Sequence, residues 1–388
     1  MGLNIHRALS KSCIAAACLL AMPLAVKAAF WYDATERGVF NGMVYAYKLQ
    51  SFDDTAYRNG VAWTFDSFEQ RTGKKLAPGE KHRVGIKVYT DSGDGIQTPL
   101  PLTRAVIEEL CKRGYAKKDI FIVDAYESKL RETGYLPPLS YRKADEVFDG
   151  VEVRYLSSEH WWNKTWFYDN PLPANTETMS REALADQKNT NGEESRKSYL
   201  VSAFIEDVDF WINLPVIMDN YALELSGSLG NATVWNVSNR DRFFNSQANA
   251  PVAMAEIAAI PEYIDNWALS IVSLERFQIV GGPIFNSNYV RSDHALLSST
   301  DAPILDAWAA KRINAYRDSM GFKPVNSPPF AVSFSRMLNI GTAEVPNIMW
   351  ITPDNQPPER FMLEPEKIDN DAMNRPRADG GPDRPSLP

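Results

Sequence analysis

Cysteine is scarce in this chain: three in 388 residues, at Cys13, Cys18 and Cys111. The first two fall in an N-terminal stretch with the features of an export signal. Arg7 and Lys11 precede a mostly apolar run from Cys13 to Val26, and Val26-Lys27-Ala28 ends in the small-residue pattern of a cleavage site. The run is shorter than the roughly 20 apolar residues that span a bilayer. Residues 1–28 are therefore expected to be a cleaved signal peptide, leaving an exported protein, periplasmic or secreted, with no membrane span in the mature chain. No Arg-Arg pair points to twin-arginine export. Cleavage leaves Cys111 alone, which excludes an intramolecular disulfide and an all-cysteine iron–sulfur cluster within the chain. Stability must come from a packed core, for which about 360 residues are ample.

Basic excess is lacking too. The formal charge of -8 moves to about -11 once the signal is removed, so nucleic acid is not an expected partner. The chain has no Gly-x-Ser-x-Gly, no Gly-x-Gly-x-x-Gly and no Gly-Lys-Ser/Thr. His82, His160 and His294 are scattered, without the i, i+4 spacing of a helical metal site. Of the three, His294 lies nearest to a segment singled out below.

What is present reads as an α/β fold. His82 to Thr90 has the composition of a buried strand, Thr98-Pro99 signals a helix start with the threonine as cap, and Gly114 ends a helix with Ala105, Val106, Leu110 and Cys111 on one side. "DIFIVDA", Asp119 to Ala125, completes a β-α-β unit whose strands should run parallel. Further strands are expected at Val151 to Leu156, Phe210 to Val216 and Ala268 to Leu274, with another apolar run at Tyr199 to Phe204. Helices are expected at Trp63 to Arg71, Val252 to Ile260 and Ala302 to Tyr316. Alternation of this kind implies a mostly parallel sheet with helices on both faces. One α/β domain over residues 29–352 would carry an aromatic-rich insertion at about 157–197 and be followed by a Pro-rich disordered tail, 353–388. The insertion's "HWWNKTWFYD" places five aromatics in eight residues, either as an exposed stacking platform or as a roof over the sheet, the second being the simpler reading.

Four segments together resemble the bacterial and archaeal family called domain of unknown function 362. They are "VGIKVYTDSGDGIQTPLPLTRAVIEELCKRG", "VDFWINLPVIMDNYALELSGSLGN", "IAAIPEYIDNWALSIVSLERFQIVGGP" and "SSTDAPILDAWAAKRI", in the family's order and about its spacing. The resemblance implies a fold more than a reaction. Lys87, Asp219, Asn231, Gly281, Gly282, Pro283, Asp301 and Asp306 match the family pattern. Where the family usually has Leu-Lys-Asp-His, this chain has Ile217, Met218, Asp219 and Asn220; where it usually has Lys-Asn, this chain has Gly230-Asn231; Ser273 replaces a common aspartate. A methionine carries no charge and an asparagine does not titrate, so cationic chemistry at those positions would be lost.

Ligands of open parallel sheets bind beyond the carboxyl ends of the strands. The expected site therefore gathers Lys87, Asp91, Asp219, Asn231 and Asp301 around a small anionic or metal-bound ligand. "TDSGDG", Thr90 to Gly95, lacks the cation of a phosphate cradle; Asp91 and Asp94 suit a divalent cation better, and the plainest reading is a turn with glycines at positive φ. Lys87, inside an apolar strand, is either ligand-facing or paired with a structural aspartate. Asp301 would cap the helix after it, and Cys111 would be an inert core thiol. Two functions follow: a module holding a small ligand, as binder or enzyme, or a non-catalytic partner protein that keeps the fold after losing its cations.

Overall fold

Nine strands of one sheet organise the chain, and a computed structural model describes residues 34–139, 146–157, 161–170, 196–244, 249–356 and 358. The expected signal peptide and nearly all of the expected tail lie outside them. In chain order the first half comprises α1 (Ala34–Val39), β1 (Met43–Lys48), α2 (Asp54–Thr72), β2 (Val84–Lys87), α3 (Leu100–Lys112), β3 (Ile120–Asp124), α4 (Glu127–Glu132), β4 (Val147–Phe148), β5 (Val151–Tyr155), β6 (Trp162–Asp169), β7 (Lys197–Val201) and α5 (Ala203–Glu206). The second half comprises β8 (Phe210–Asn213), β9 (Met218–Asn220), β10 (Glu224–Ser226), α6 (Ser228–Ala232), α7 (Asn249–Ala258), α8 (Pro261–Ile264), β11 (Trp267–Ser273), β12 (Phe277–Gln278), β13 (Val290–Arg291), β14 (Ala295–Ser299), α9 (Ala302–Ser319), α10 (Phe330–Met337) and β15 (Met349–Ile351).

The sheet runs β15-β1-β14-β11-β8-β2-β3-β5-β4. Its central strands β11, β8, β2, β3 and β5 are parallel, while β14 and β4 run against their neighbours. The chain enters the parallel block at β2, proceeds outward through β3 to β5, then returns to the other side of β2 as β8 and continues to β11. The order therefore reverses between β2 and β8, which makes that gap the topological switch point.

Strand alternation divides the core in two. Val84, Ile86, Ile122 and Ile212 join one cluster with Tyr57, Val61 and Phe65 of α2 and Ala105, Val106 and Leu110 of α3. Phe121, Val123, Trp211 and Val272 join the other, with residues of α7 and α9. On that second side Gly85 lies under the ring of Phe204, where an added Cβ would come within 2.6 Å. A strand glycine here permits the close approach of α5.

Two local expectations need correction. Thr98 does not cap α3: its hydroxyl donates to the Leu214 carbonyl at 2.6 Å and accepts from the Tyr89 amide, tying the loop after β2 to the end of β8, and Pro99 stands at the cap instead. The helix expected from Trp63 begins nine residues earlier, where Asp53 caps it by accepting from the Ala56 amide at 2.9 Å. The aromatic insertion forms β6, paired antiparallel with β7 outside the main sheet. Trp161, Trp162 and Trp166 pack half-buried against the core, Trp166 donating to Glu206, while Phe167 points outward. The segment is thus partly roof; residues 171–195 lie outside the described set.

Candidate functional site at the carboxyl rim of the sheet

Lys87, Asn213 and Ser270 stand side by side across β2, β8 and β11, because strand register sets Lys87 against Asn213 and Asn213 against Ser270. In-register neighbours share a face, so three polar side chains meet on the same side of an otherwise apolar block. The ammonium of Lys87 donates to the Val88 carbonyl (2.5 Å), Asp124 Oδ1 (2.7 Å) and Asn231 Oδ1 (2.9 Å). An ammonium has three donors, and all are engaged. Asp124, the last residue of β3, accepts a second bond from the Thr90 hydroxyl at 2.6 Å. Asn231 donates to Asn213 Oδ1 at 2.8 Å, and Asn213 donates to the Ser228 carbonyl and the Ser270 hydroxyl. Burial pulls the Lys87 ammonium below its ordinary range, opposed by Asp124.

Asn231 is held in place from behind. Asp306 of α9 accepts from the Ser228 and Leu229 amides at 2.6 and 3.0 Å, at the start of α6. A Cβ on Gly227 would collide with the Asp306 carboxylate, so the glycine is what permits this approach. The order of support therefore runs from α9 through α6 to the lysine on β2.

Above this cluster the chain closes over itself. Met218, one of the departures from the family pattern, is fully buried with its sulfur 3.6 Å from the Ser92 hydroxyl and 3.9 Å from Tyr89 Oη. Tyr89 meets Trp235 edge-on at 5.9 Å, and Ser92 donates to the Pro283 carbonyl. The loops after β2, β3 and β8 do converge at one rim, joined by the Gly281–Pro283 segment. "TDSGDG" is a turn, with the Gly93 amide bonded to Thr90 O at 2.8 Å and with Gly93 and Gly95 at φ +79° and +131°.

Asp91 and Arg240 lie further out. Burial raises the Asp91 carboxyl above its ordinary value, with Arg240 the largest opposing influence and Lys129 and Lys87 adding to it. Asp91 makes no hydrogen bond or ion pair among the described residues. The Arg240 guanidinium sits between the rings of Tyr126 (4.3 Å) and Trp235 (4.8 Å) and is 7% exposed.

The five expected ligand residues separate into three groups. Lys87 and Asn231 bond directly and Asp91 sits near them. Asp219 lies on the same edge but alternates away from Met218, accepting from the Gly281 and Gly282 amides and pairing with Arg317 at 3.2 Å. Asp301 is at the amino end of β11, beside Trp267, where it caps α9 through the Ile304 amide and also accepts from Gly42 and Thr342. A single pocket of all five is therefore corrected: antiparallel β14 delivers Asp301 to the opposite rim. Among the described residues no group of three or more His, Cys, Asp or Glu side chains is placed to hold a metal, so Asp91 and Asp94 gain no third acid. Glu132, an acid beside that turn, faces the Asp94 amide and Lys129. Cys111 is half-buried, its thiol raised by burial. Thr90 and Asp124 begin the two loops, Thr90 to Gly95 and Asp124 to Glu127, that the sequence places at this rim, although neither is among the expected ligand residues; no sequence signal marks Arg240.

The fold and site define an α/β protein with an open, mostly parallel sheet and a polar cluster at its switch point. No family model matches the sequence, and no curated protein matches it. Among solved structures, the chain is similar to a Thermotoga maritima protein determined as a structural-genomics target, at 10% identity and a TM-score of 0.30. The match covers 58% of this chain and 51% of that one, so it spans about half of that protein's length. No helix among the described residues is long and apolar enough to cross a membrane.

Proposed function

We propose that this is an exported protein of the family resembling domain of unknown function 362, with helices on both sheet faces, that holds a small ligand at the carboxyl rim of its parallel strands. The observation that carries this reading is the convergence of the loops after β2, β3 and β8 at the switch point, with the Asp91 carboxylate left uncommitted at their mouth. Sheets of this topology take ligands at that location because several loop ends meet there over a rigid base. The Lys87 cluster acts as that base: it fixes the loops and leaves recognition to groups above it.

The test is native mass spectrometry, with metal analysis, on protein purified from the exported fraction, followed by amide chemical-shift mapping with whatever is released. A stoichiometric small molecule or ion shifting residues 88–95 and 124–127 is the expected result. A bare chain, with no shift at those positions, would overturn the reading.

A specific observation favours a second reading. Met218, Tyr89 and Trp235 pack on one another at this rim, the buried Met218 standing where the resemblance implies a lysine, as expected of a non-catalytic partner protein that has closed an ancestral site. Met218→Ala, by opening space there, would create ligand affinity only under this second reading.

A further inference from the structure

We infer that Asp306 is a proton-operated latch on α6: with a neutral carboxyl it holds the helix closed, and on ionising it slackens the helix and, through it, the contact of Asn231 with Lys87. The inference stands whether or not the rim takes a ligand.

Asp306 is 2% exposed, and its two oxygens accept from the Ser228 and Leu229 amides at 2.6 and 3.0 Å. A Cβ on Gly227 would stand 2.3 Å from Oδ1, so that side has no room for a water molecule either. Asp124 and Asp293, sealed as well, each face a cation at 2.7 Å, Lys87 and Arg312 respectively. Asp306 makes no ion pair among the described residues. Of the elements packed on α9, α6, β14 and the turn Val345–Asn347 carry no ionisable side chain, and that of α10, Arg336, is exposed and paired with Glu344 at 3.0 Å. Asn213, which donates to the Ser228 carbonyl, is neutral. The charged group that acts on Asp306 is Asp301, at the cap of the same helix, and its sign opposes ionisation.

Two amide dipoles are thus set against the loss of all hydration, and burial prevails, raising the carboxyl to about 7. Hydration of the charge requires α6 to move away, and there the carboxyl would return toward its ordinary value. The closed arrangement therefore binds the proton more tightly than the open one, so the latch is firm in acid, loosens as pH rises to about 7 and is level above that. Ser228 and Asn231 lie within one turn of α6, closed by the bond from the Asn231 amide to the Gly227 carbonyl at 3.0 Å. A shift at Ser228 and Leu229 carries Asn231 with it, and Asn231 accepts from Lys87 at 2.9 Å and donates to Asn213 at 2.8 Å. Ionisation of a side chain on α9 in this way withdraws one of the three acceptors of the lysine on β2.

The experiment measures amide hydrogen exchange of the full chain, with each rate divided by the intrinsic rate at the same pH, and compares residues 228–233 with β3, which reports global opening. Protection of residues 228–233 is expected to fall at least about tenfold between about pH 5 and about pH 7.5, and by more than that of β3. In Asp306→Asn the fall should be absent, whatever the absolute protection. Wild-type protection that is unchanged with pH, that only follows β3, or that falls as steeply in Asp306→Asn overturns the latch. Should Asp306→Asn fail to fold, carboxyl carbon-13 shifts of the wild type decide. Titration of Asp306 well above the ordinary aspartate range, with the side-chain amide of Asn231 moving at the same midpoint, supports the latch; titration within that range, or an Asn231 amide that does not follow, overturns it.

Discussion

At the scale of single residues, Lys87 shows how a buried charge is tolerated. Its ammonium is dry, and three acceptors, one of them the charged Asp124 carboxylate, replace the water it lost. Removing one partner strands the other, so Lys87→Met should destabilise the protein by about 3–5 kcal/mol in urea unfolding, and the double change Lys87→Met/Asp124→Leu should recover most of that loss. That the lysine was unusual was legible from its place in an apolar strand. Which aspartate it would meet was not, because that depends on the parallel register of β2 and β3. Asp219 and Asp301 looked equivalent to Asp91 in sequence, and only the directions of their strands separate them. A second prediction concerns buried carboxyls. Burial outweighs the backbone donors to raise Asp301 to about 6 and Asp306 to about 7. The folded state then holds these protons more tightly than the unfolded chain does. Their contribution to stability is therefore largest near pH 4, declines as pH rises to about 7, and is level above that. Urea midpoints across this range should show the decline, and Asp306→Asn should flatten its upper half.

At the scale of elements, close approach explains what periodicity could not. Much of α2 went unread because its outward and inward faces are poorly segregated and Gly60 interrupts it. The glycine is where the helix touches β1: a Cβ there would stand 3.1 Å from Tyr47 and 3.3 Å from Leu296. The β-α-β unit, by contrast, was legible in all but the cap of α3, since β2, α3 and β3 are each bounded by clear start and stop signals. Gly85→Ala tests contact between β2 and α5, where the added methyl meets Phe204 and Phe121. Thermal unfolding should show a loss of about 1–3 kcal/mol, partly restored by Phe204→Leu in the same chain. Thr98→Ala should cost about 1–3 kcal/mol by the same measurement, because the buried Tyr89 amide loses its acceptor.

At the scale of the whole molecule, five adjacent parallel strands set which end of the sheet carries loops able to act together. That much followed from alternating strands and helices. The two reversals, β14 and β4, did not, since a short apolar run has no direction in sequence. Hydrogen exchange should reflect this arrangement. Amides of β2, β3 and β8, interior to the sheet, are expected to exchange only through global opening, whereas the three-residue edge strand β15 opens far more readily.

That edge strand has another consequence. By pairing Met43 with Met349 and Tyr45 with Ile351, it stitches the beginning of the fold to its finish. The backbone is close to a ring with a nick in it. A circularly permuted chain, fused across this seam and cut open at a surface turn elsewhere, should regain the same tertiary arrangement.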